Sequence, residues 1–207
     1  MDEIQFKSPA TIISSVCTCS GKTTFAKKLI SNLNLFDVQP KKIIYFYAVY
    51  SRDFELLGDH VQFIEGLPLD FAQFSDNKTH TLIIIDDLQQ EAANSKAVEC
   101  LFTRDAHHRN MSVLFLTQNV FYQGKVMRTV ALNAHVIVLF KNPRCNSQIQ
   151  TLQQQLGIKH VLAAYNDVMK TPFSYLIIDV GPKSNPLFQM RTYVFPGEVP
   201  VIYQLQL

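Results

Sequence analysis

Apolar runs rich in β-branched residues alternate along this chain with stretches whose apolar positions recur at helical spacing. The run Leu82–Ile85 contains no polar residue, which is typical of a strand covered on both faces in a parallel sheet. Phe25, Leu29 and Leu33 recur at i, i+4 and i+8, and this spacing predicts an amphipathic helix. The strands predicted in this part of the chain are Thr11–Val16, Lys42–Val49, Val61–Ile64, Thr81–Asp86, Ser112–Thr117 and Ala134–Phe140.

Further helices and a different C-terminal part complete the predicted architecture. Helical spacing recurs within Val98–Phe102 and within Ile149–Leu156, and Gly157 is placed to end the second of these helices. Strands that alternate with helices indicate an α/β fold with right-handed crossovers. Near the C-terminus, Ser174–Val180 and Leu187–Val194 flank a turn-forming segment and predict a terminal hairpin or sheet extension.

Length and composition fit one domain. The chain has 207 residues, of which 47% are hydrophobic and 17% charged, so residues 1–207 can form one core without disulfides or metal. No apolar run approaches the roughly 20 residues of a membrane-spanning helix, and the N-terminus is too polar for a signal peptide. We therefore expect a soluble intracellular protein without a membrane partner. Its four cysteines show no zinc spacing and are expected to be reduced thiols.

The formal net charge of +2 hides an uneven distribution. Residues 44–103 contain 3 basic and 10 acidic side chains, a net charge of −7, whereas residues 104–191 contain 10 basic and 3 acidic ones, a net charge of +7. A basic region of this kind can face a polyanion such as nucleic acid. On charge alone, mutual neutralisation of the two regions across the fold is an equal alternative.

The first strand runs through the segment SVCTCSGKTT, residues 15–24, into the first helix. A loop between a strand and a helix can bind phosphate, because backbone N–H groups at a helix N-terminus attract phosphate oxygens. Lys22 is placed to reach the β- and γ-phosphates of ATP, and the hydroxyl of Thr23 to ligate Mg²⁺. The residues expected to contact the nucleotide are Thr18, Cys19, Ser20, Gly21, Lys22, Thr23 and Thr24.

Polar side chains end two of the predicted strands. Asp86 and Asp87 follow a buried strand, and ligands of parallel sheets bind at such strand ends. Asp86 can support the metal, and Asp87 can orient and deprotonate the attacking water. The alternative is that the two carboxylates cap the following helix. Gln118, followed by Asn119, can hold the lytic water or sense the γ-phosphate; a simple turn is the alternative.

Basic residues surround the strand that ends before Gln118. An arginine that reaches the γ-phosphate of a neighbouring subunit accelerates hydrolysis by about 10³–10⁵ in known cases, although any one basic residue is more often solvated. We do not propose a metal at the adjacent histidines, because adjacent histidines rarely form a metal site. The candidates are Arg104, His107, His108, Arg109, Lys125, Arg128, Lys141 and Arg144.

In these motifs the chain resembles the FtsK–HerA superfamily of DNA-pumping ATPases. Within it, the chain looks most similar to the genome-packaging ATPases of Polinton/Maverick elements and adintoviruses, relatives of the poxvirus packaging ATPase. The resemblance extends from about Pro9 to Glu198. It is carried by the segments Ser20–Phe25, Lys42–Tyr45, Glu65–Pro68, Ile84–Leu88, His107–Ser112, Leu116–Asn119, Leu132–His135, Phe140–Arg144 and Phe195–Glu198.

The resemblance implies a three-layer P-loop NTPase fold of the RecA/FtsK type that hydrolyses ATP with Mg²⁺. It implies a homo-oligomeric ring around double-stranded DNA that pumps a genome into a capsid, with capsid or portal-type proteins as partners. The work would take place where virions assemble, in the host nucleus or cytoplasm. It also implies that Asp87 is the catalytic acid and that Gln118 is the polar residue after the fourth strand. Arg109 is the first choice for an arginine finger and Arg128 the second, and Lys125 and Arg128 are expected to contact DNA.

The phosphate loop departs from this family pattern. Relatives usually have Gly-Pro-Thr-Gly-Ser-Gly-Lys-Thr, so Val16, Cys17 and Cys19 replace Gly, Pro and Gly. If position 19 requires a positive φ, a Cβ atom there costs about 1 kcal/mol or more. Two other functions therefore remain open: a structural or interaction subunit with a degenerate loop, and a P-loop nucleotide kinase. The kinase would have no use for Asp86 and Asp87 followed by Gln118.

Overall fold

The computed structural model describes residues 4–15, 21–119, 122–142 and 146–204, except for the side chains of Lys22 and Asp53. Within these ranges, nine strands form one sheet in the order β3-β2-β4-β5-β1-β6-β7-β8-β9. The strands are β1 (Thr11–Ser15), β2 (Lys42–Tyr47), β3 (Val61–Glu65), β4 (Thr81–Asp86), β5 (Met111–Thr117), β6 (Val136–Phe140), β7 (Tyr175–Asp179), β8 (Met190–Thr192) and β9 (Val201–Tyr203).

The first six strands pair in parallel, and the last three extend the sheet in antiparallel fashion. At its centre, Ile13 of β1 is level with Phe115 of β5 on one side and with Ile137 of β6 on the other. Strand β5 also pairs with β4, so it separates β1 from β4. Beyond β6, strands β7, β8 and β9 pair successively in antiparallel register. The mainly parallel sheet with a C-terminal extension is therefore confirmed.

Helices cover both faces of the sheet. Helix α1 packs on one face, where Phe25 and Leu29 lie in one hydrophobic core with Ile84 of β4. The other helices cover the opposite face in a second core that includes Ile83 and Val130. The helices described are α1 (Lys22–Ser31), α2 (Gln89–Ala93), α3 (Lys96–Cys100), α4 (Ala106–His108), α5 (Lys125–Leu132), α6 (Asn146–Leu156) and α7 (Val161–Val168). The predicted three-layer arrangement is confirmed.

Several element boundaries differ from those that the sequence predicts. The helix predicted around Val98 continues as a π-helix over Leu101–Asp105. The last predicted strand begins later, at Met190, because Pro186–Phe188 forms a 3-10 turn whose Leu187 N–H donates to the Asn185 side chain. Gly157 does end α6, and it has a φ of +66°.

A buried ion pair joins two strands of the antiparallel extension. Arg191 of β8 is almost completely buried, and its Nη2 atom lies 3.0 Å from Oδ2 of Asp179 at the end of β7. The Nη1 atom of Arg191 donates to the carbonyl of Phe188 at 2.7 Å. Breaking such a pair leaves an uncompensated buried charge, so the pair holds β8 against β7. In the described part of the chain, no helix is long and apolar enough to cross a bilayer.

Candidate active site

Three central strands bring the predicted site residues to one edge of the sheet. Parallel strands share the edge at which they end, which we call the carboxyl edge; the opposite edge is the amino edge. Ser15 of β1 is level with Thr117 of β5, and Asp86 of β4 is level with Leu116. Because β5 lies between β1 and β4, Gln118 follows the strand that separates the end of β1 from the carboxylates.

The start of α1 forms one side of this edge. Gly21 precedes α1 with a φ of +109°, a conformation that residues with a Cβ atom rarely adopt. A Cβ atom at this position would also lie 3.6 Å from the ring of Phe140. Thr23 follows in the first turn and is half-buried. The predicted nucleotide contacts of Thr18, Cys19 and Ser20, and the side chain of Lys22, lie outside the described residues.

Asp86 lies on the sheet face that α1 covers. Side chains alternate between faces along a strand, and Leu82 and Ile84 belong to the core under α1, so Asp86 shares their face. It is only 8% exposed, and Tyr45 of β2 donates a hydrogen bond to its Oδ2 atom at 2.7 Å. Burial and the neighbouring Asp86 carboxylate raise the pKa of Tyr45, so the hydroxyl stays protonated and fixes the carboxylate.

Asp87 is arranged differently from its neighbour. It is exposed at the carboxyl edge and has a φ of +55°, in the left-handed region. Helix α2 begins two residues later, and its N-cap residue is Leu88, whose side chain makes no capping hydrogen bond. Neither carboxylate therefore occupies the N-cap position. One is held rigidly in the interior and the other is presented to solvent.

Gln89 connects the carboxylate segment to the end of β5. Its Oε1 atom accepts hydrogen bonds from the hydroxyl of Thr117 and, at 2.8 Å, from the backbone N–H of Gln118. The Thr117 hydroxyl also accepts from the N–H of Asn119 at 3.3 Å. The hydrogen bond from the Gln118 N–H to Gln89 thus fixes the backbone position of Gln118, whose side chain is exposed. Sequence reasoning missed both Gln89 and Tyr45, since each acts through a partner distant in the chain.

Solved structures with this fold include the DNA-packaging ATPase B204 from Sulfolobus turreted icosahedral virus. It matches with a TM-score of 0.60 and 14% identity, over 95% of this chain and 98% of that chain. The genome packaging NTPase B204 from Sulfolobus turreted icosahedral virus 2, solved in complex with ATPγS, matches with a TM-score of 0.53 and 14% identity, over 96% of this chain and 98% of that chain. No protein-family model and no curated protein matches the sequence.

A protein with a different role shares the same fold. The flagellar accessory protein FlaH from Methanocaldococcus jannaschii matches with a TM-score of 0.53 and 10% identity, over 97% of this chain and 92% of that chain. At these identities the likeness shows the fold alone, which this chain shares with the packaging NTPases and with FlaH. Because one fold serves several functions, the function has to be argued from the site.

The basic residues divide between the two edges. Lys125 and Arg128 are exposed on α5, which begins on the carboxyl side after β5. Arg109 precedes β5 at the amino edge, where its Nε atom lies 3.5 Å from Oδ1 of Asp105. The carbonyl of Arg109 also accepts a hydrogen bond from Ser75 at 2.6 Å. Arg109 therefore does not join the site of its own chain, and its role as a finger in a neighbouring subunit stays a prediction.

The residues near the start of α1 fit a magnesium ion. Mg²⁺ prefers oxygen ligands and is bound in nucleotide sites by one or two protein groups together with phosphates and water. Thr23 lies on α1, and Asp86 lies on the sheet face that α1 covers. A hydroxyl and a buried carboxylate on the same side of the sheet supply the donors that such an ion takes.

Proposed function

We propose that the protein is an ATP-driven motor that moves double-stranded DNA into a capsid. The observation that carries this proposal is the meeting of Asp86, Asp87 and Gln118 with the start of α1 at one edge of a P-loop NTPase sheet. The collinear motifs from Pro9 to Glu198 resemble those of genome-packaging ATPases, which supports DNA packaging as the purpose of the hydrolysis. Two of the similar structures are themselves packaging NTPases.

We assign each of these side chains a task in ATP hydrolysis. Lys22 and the loop before it would hold the phosphates, and Thr23 and Asp86 would hold Mg²⁺. When bound, Mg²⁺ neutralises charge on the β- and γ-phosphate oxygens. Asp87, exposed beside the buried Asp86, orients the attacking water and accepts its proton. Gln118 positions the same water from the neighbouring strand.

A ring of subunits would complete the site. Rings form through heterologous contacts, in which two different surfaces of the same chain meet. If Arg109 acts in trans, the amino edge of one subunit has to face the carboxyl edge of the next. Lys125 and Arg128, exposed on the carboxyl side, would contact the phosphates of the DNA duplex.

A second candidate function rests on the phosphate loop. Val16 and Cys19 add side chains where related loops keep bare backbone, which favours a subunit that binds nucleotide weakly and serves as a structural or interaction partner. Replacing both residues with glycine separates the candidates. If Val16 and Cys19 impair nucleotide binding, the double-glycine variant binds ATP at least about 10-fold more tightly than the wild type, equivalent to about 1.4 kcal/mol. Equal affinity identifies them as variation that a working motor tolerates.

The deciding experiment measures ATP turnover by the purified protein with and without double-stranded DNA. A motor hydrolyses ATP and does so faster when DNA is present, whereas a structural subunit shows no turnover under either condition. Turnover that requires a second nucleotide instead of DNA would indicate a kinase. The Asp87→Asn variant is the comparison, because turnover far below that of the wild type assigns the measured hydrolysis to this site.

A further inference from the structure

A cavity with aromatic walls lies next to the start of α1. Its volume is about 110 Å³. It opens beside Gly21, the residue that directly precedes α1, so the cavity adjoins the start of that helix. The lining residues are Gly21, Thr24, Phe25, Lys28, Phe140, Phe173, Tyr175 and Phe195.

Buried rings form the floor of this cavity. The ring centroid of Phe25 lies 5.7 Å from that of Phe140, 5.3 Å from that of Tyr175 and 5.2 Å from that of Phe195, each in edge-to-face orientation. All four side chains are almost fully buried. Edge-to-face packing fixes the rings relative to one another, so the floor is rigid before any ligand enters.

Phe173 forms the rim and is unusual in two respects. Its side chain is 74% exposed, and its φ is +58°, a conformation that is a genuine outlier for a bulky residue. A single exposed apolar residue is common on protein surfaces. A strained backbone that also holds an aromatic ring over an aromatic cavity is not, and strain of this kind concentrates at ligand sites.

The turn Phe195–Glu198 ties the cavity to α1. Glu198 accepts hydrogen bonds from Lys28 and from the Tyr175 hydroxyl, both at 2.7 Å. The ammonium group of Lys28 lies 5.3 Å from the centre of the Phe195 ring. One carboxylate therefore holds the helix against the floor of the cavity. This turn and Phe140 both belong to the motifs that the chain shares with packaging ATPases, but the hydrolysis chemistry uses neither of them.

We propose that this cavity holds the nucleobase of ATP, with Phe173 stacked on the face of the purine. The inference rests on the proposed ATPase function and adds to it a base-binding site. An apolar cavity of about 150 Å³ takes up a benzene ring in another protein, so a cavity of about 110 Å³ that opens to solvent can admit part of a purine. The aromatic rings offer faces on which a base can stack, and the ammonium group of Lys28 is already paired with Glu198. The cavity therefore favours the base over the phosphate chain.

A fluorescent reporter tests this placement. The chain contains no tryptophan, so the Phe173→Trp variant carries a single indole at the rim of the cavity. We expect ATP to quench the indole by stacking and inorganic tripolyphosphate, which has no base, to leave it unchanged. The matched control is Leu187→Trp, at an exposed apolar position in the turn between β7 and β8. Its fluorescence should respond to neither compound.

Binding measurements on Phe173→Ala complete the test. The dissociation constant for ATP should rise by about 10-fold or more, whereas that for tripolyphosphate should stay within twofold of the wild type. If Phe173→Ala leaves ATP affinity unchanged, or weakens ATP and tripolyphosphate equally, the base does not stack on Phe173 and the inference is wrong. If the wild type binds neither compound, the ATPase proposal itself fails, and the base site fails with it.

Discussion

The two edges of the sheet carry similar polar residues but organise them in opposite ways. At the amino edge, the His80 ring lies 2.6 Å from the Val38 carbonyl and 2.9 Å from the Ser112 hydroxyl, which in turn accepts the N–H of Ala10 at 2.9 Å. At the carboxyl edge, Asp87 and Gln118 present their side chains to solvent. Polar side chains that hydrogen-bond to one another in the interior stabilise the fold. Exposed polar side chains on a well-positioned backbone can instead contact a ligand.

This contrast separates two kinds of residue that a sequence does not distinguish. Ser112 is the second residue of β5, and Gln118 directly follows the end of the same strand. The first is completely buried and bonded on two sides, and the second is exposed. We therefore expect substitutions at the carboxyl edge to change catalysis with little effect on stability, and substitutions at the amino edge to do the reverse.

The largest effect should come from Asp87→Asn. Removing the group that accepts the proton of the attacking water should lower ATP turnover by at least about 100-fold. Because the side chain is exposed and asparagine tolerates the same φ, the melting temperature and the affinity for ATP should stay unchanged. The control is Glu91→Gln, an exposed acid in α2, which should keep full turnover. Equal hydrolysis by the wild type and Asp87→Asn would contradict the assignment.

The next largest effect should follow from Gln89→Ala. Without the acceptor for the Thr117 hydroxyl and the Gln118 N–H, the end of β5 loses its fixed position, and we expect kcat to fall by about 10- to 100-fold with KM for ATP nearly constant. Gln89→Glu keeps an acceptor oxygen and should restore most of kcat. A loss of stability with unchanged kcat in Gln89→Ala would show that Gln89 only supports the fold.

At the amino edge, His80→Ala should act on stability alone. It removes the partners of the Val38 carbonyl and the Ser112 hydroxyl in a buried environment, which should lower the free energy of unfolding by about 1–3 kcal/mol. Urea denaturation measures this loss, and His60→Ala, at an exposed position, is the control. A drop in kcat at a temperature where the variant is fully folded would break the proposed division between the edges.

DNA binding offers a third comparison of the edges. Replacing Lys125 and Arg128 with alanine should reduce the slope of log K against log salt by about 2, since each lost phosphate contact contributes about 0.9. The matched pair is Lys41 and Lys78, which are exposed at the amino edge and should leave the slope unchanged when replaced. If both double variants reduce the slope equally, DNA does not bind preferentially at Lys125 and Arg128.

The smallest effect concerns pH. Burial lowers the pKa of His80 below its ordinary value, although the hydrogen bond to Val38 and the nearby Asp37 oppose this in part. The unfolded chain therefore binds the proton first as the pH falls through about 6.5, so stability is complete above that pH and declines below it. His80→Asn should reduce the loss of stability between about pH 7.5 and pH 5.5. An equal loss in both proteins would assign the effect to other groups, such as His135.

The sequence predicts the strands and their polar ends well, because both signals are local. Leu82–Ile85 is continuous in the chain, and Asp86, Asp87 and Gln118 directly follow their strands. Their meeting at one edge follows from parallel pairing, which the unbroken apolar run already indicates. The phosphate loop stays a prediction from the intact Gly21-Lys22-Thr23 segment, because residues 16–20 lie outside the described part of the chain.

The supporting residues could not be predicted in the same way. Tyr45 contacts Asp86 from another strand, 41 residues away, and the contact depends on strand order, which no local pattern specifies. The role of Gln89 depends equally on the neighbouring β5. Helix α7 is different, since Val161, Ala164 and Val168 recur at helical spacing and are buried, so a local pattern in the sequence does indicate this helix. Strand β9 has three residues, too few for a period to be recognised.

The left-handed backbone of Asp87 has a consequence for how this position can evolve. Asparagine, aspartate and glycine are the residues that adopt such a φ most readily, and only aspartate and glutamate supply a carboxylate. Aspartate alone satisfies both demands. Once hydrolysis no longer mattered, asparagine and glycine would become neutral replacements, and the position would drift towards them. A lineage that has abandoned ATP hydrolysis is therefore expected to show this drift at position 87, where the present chain still carries aspartate.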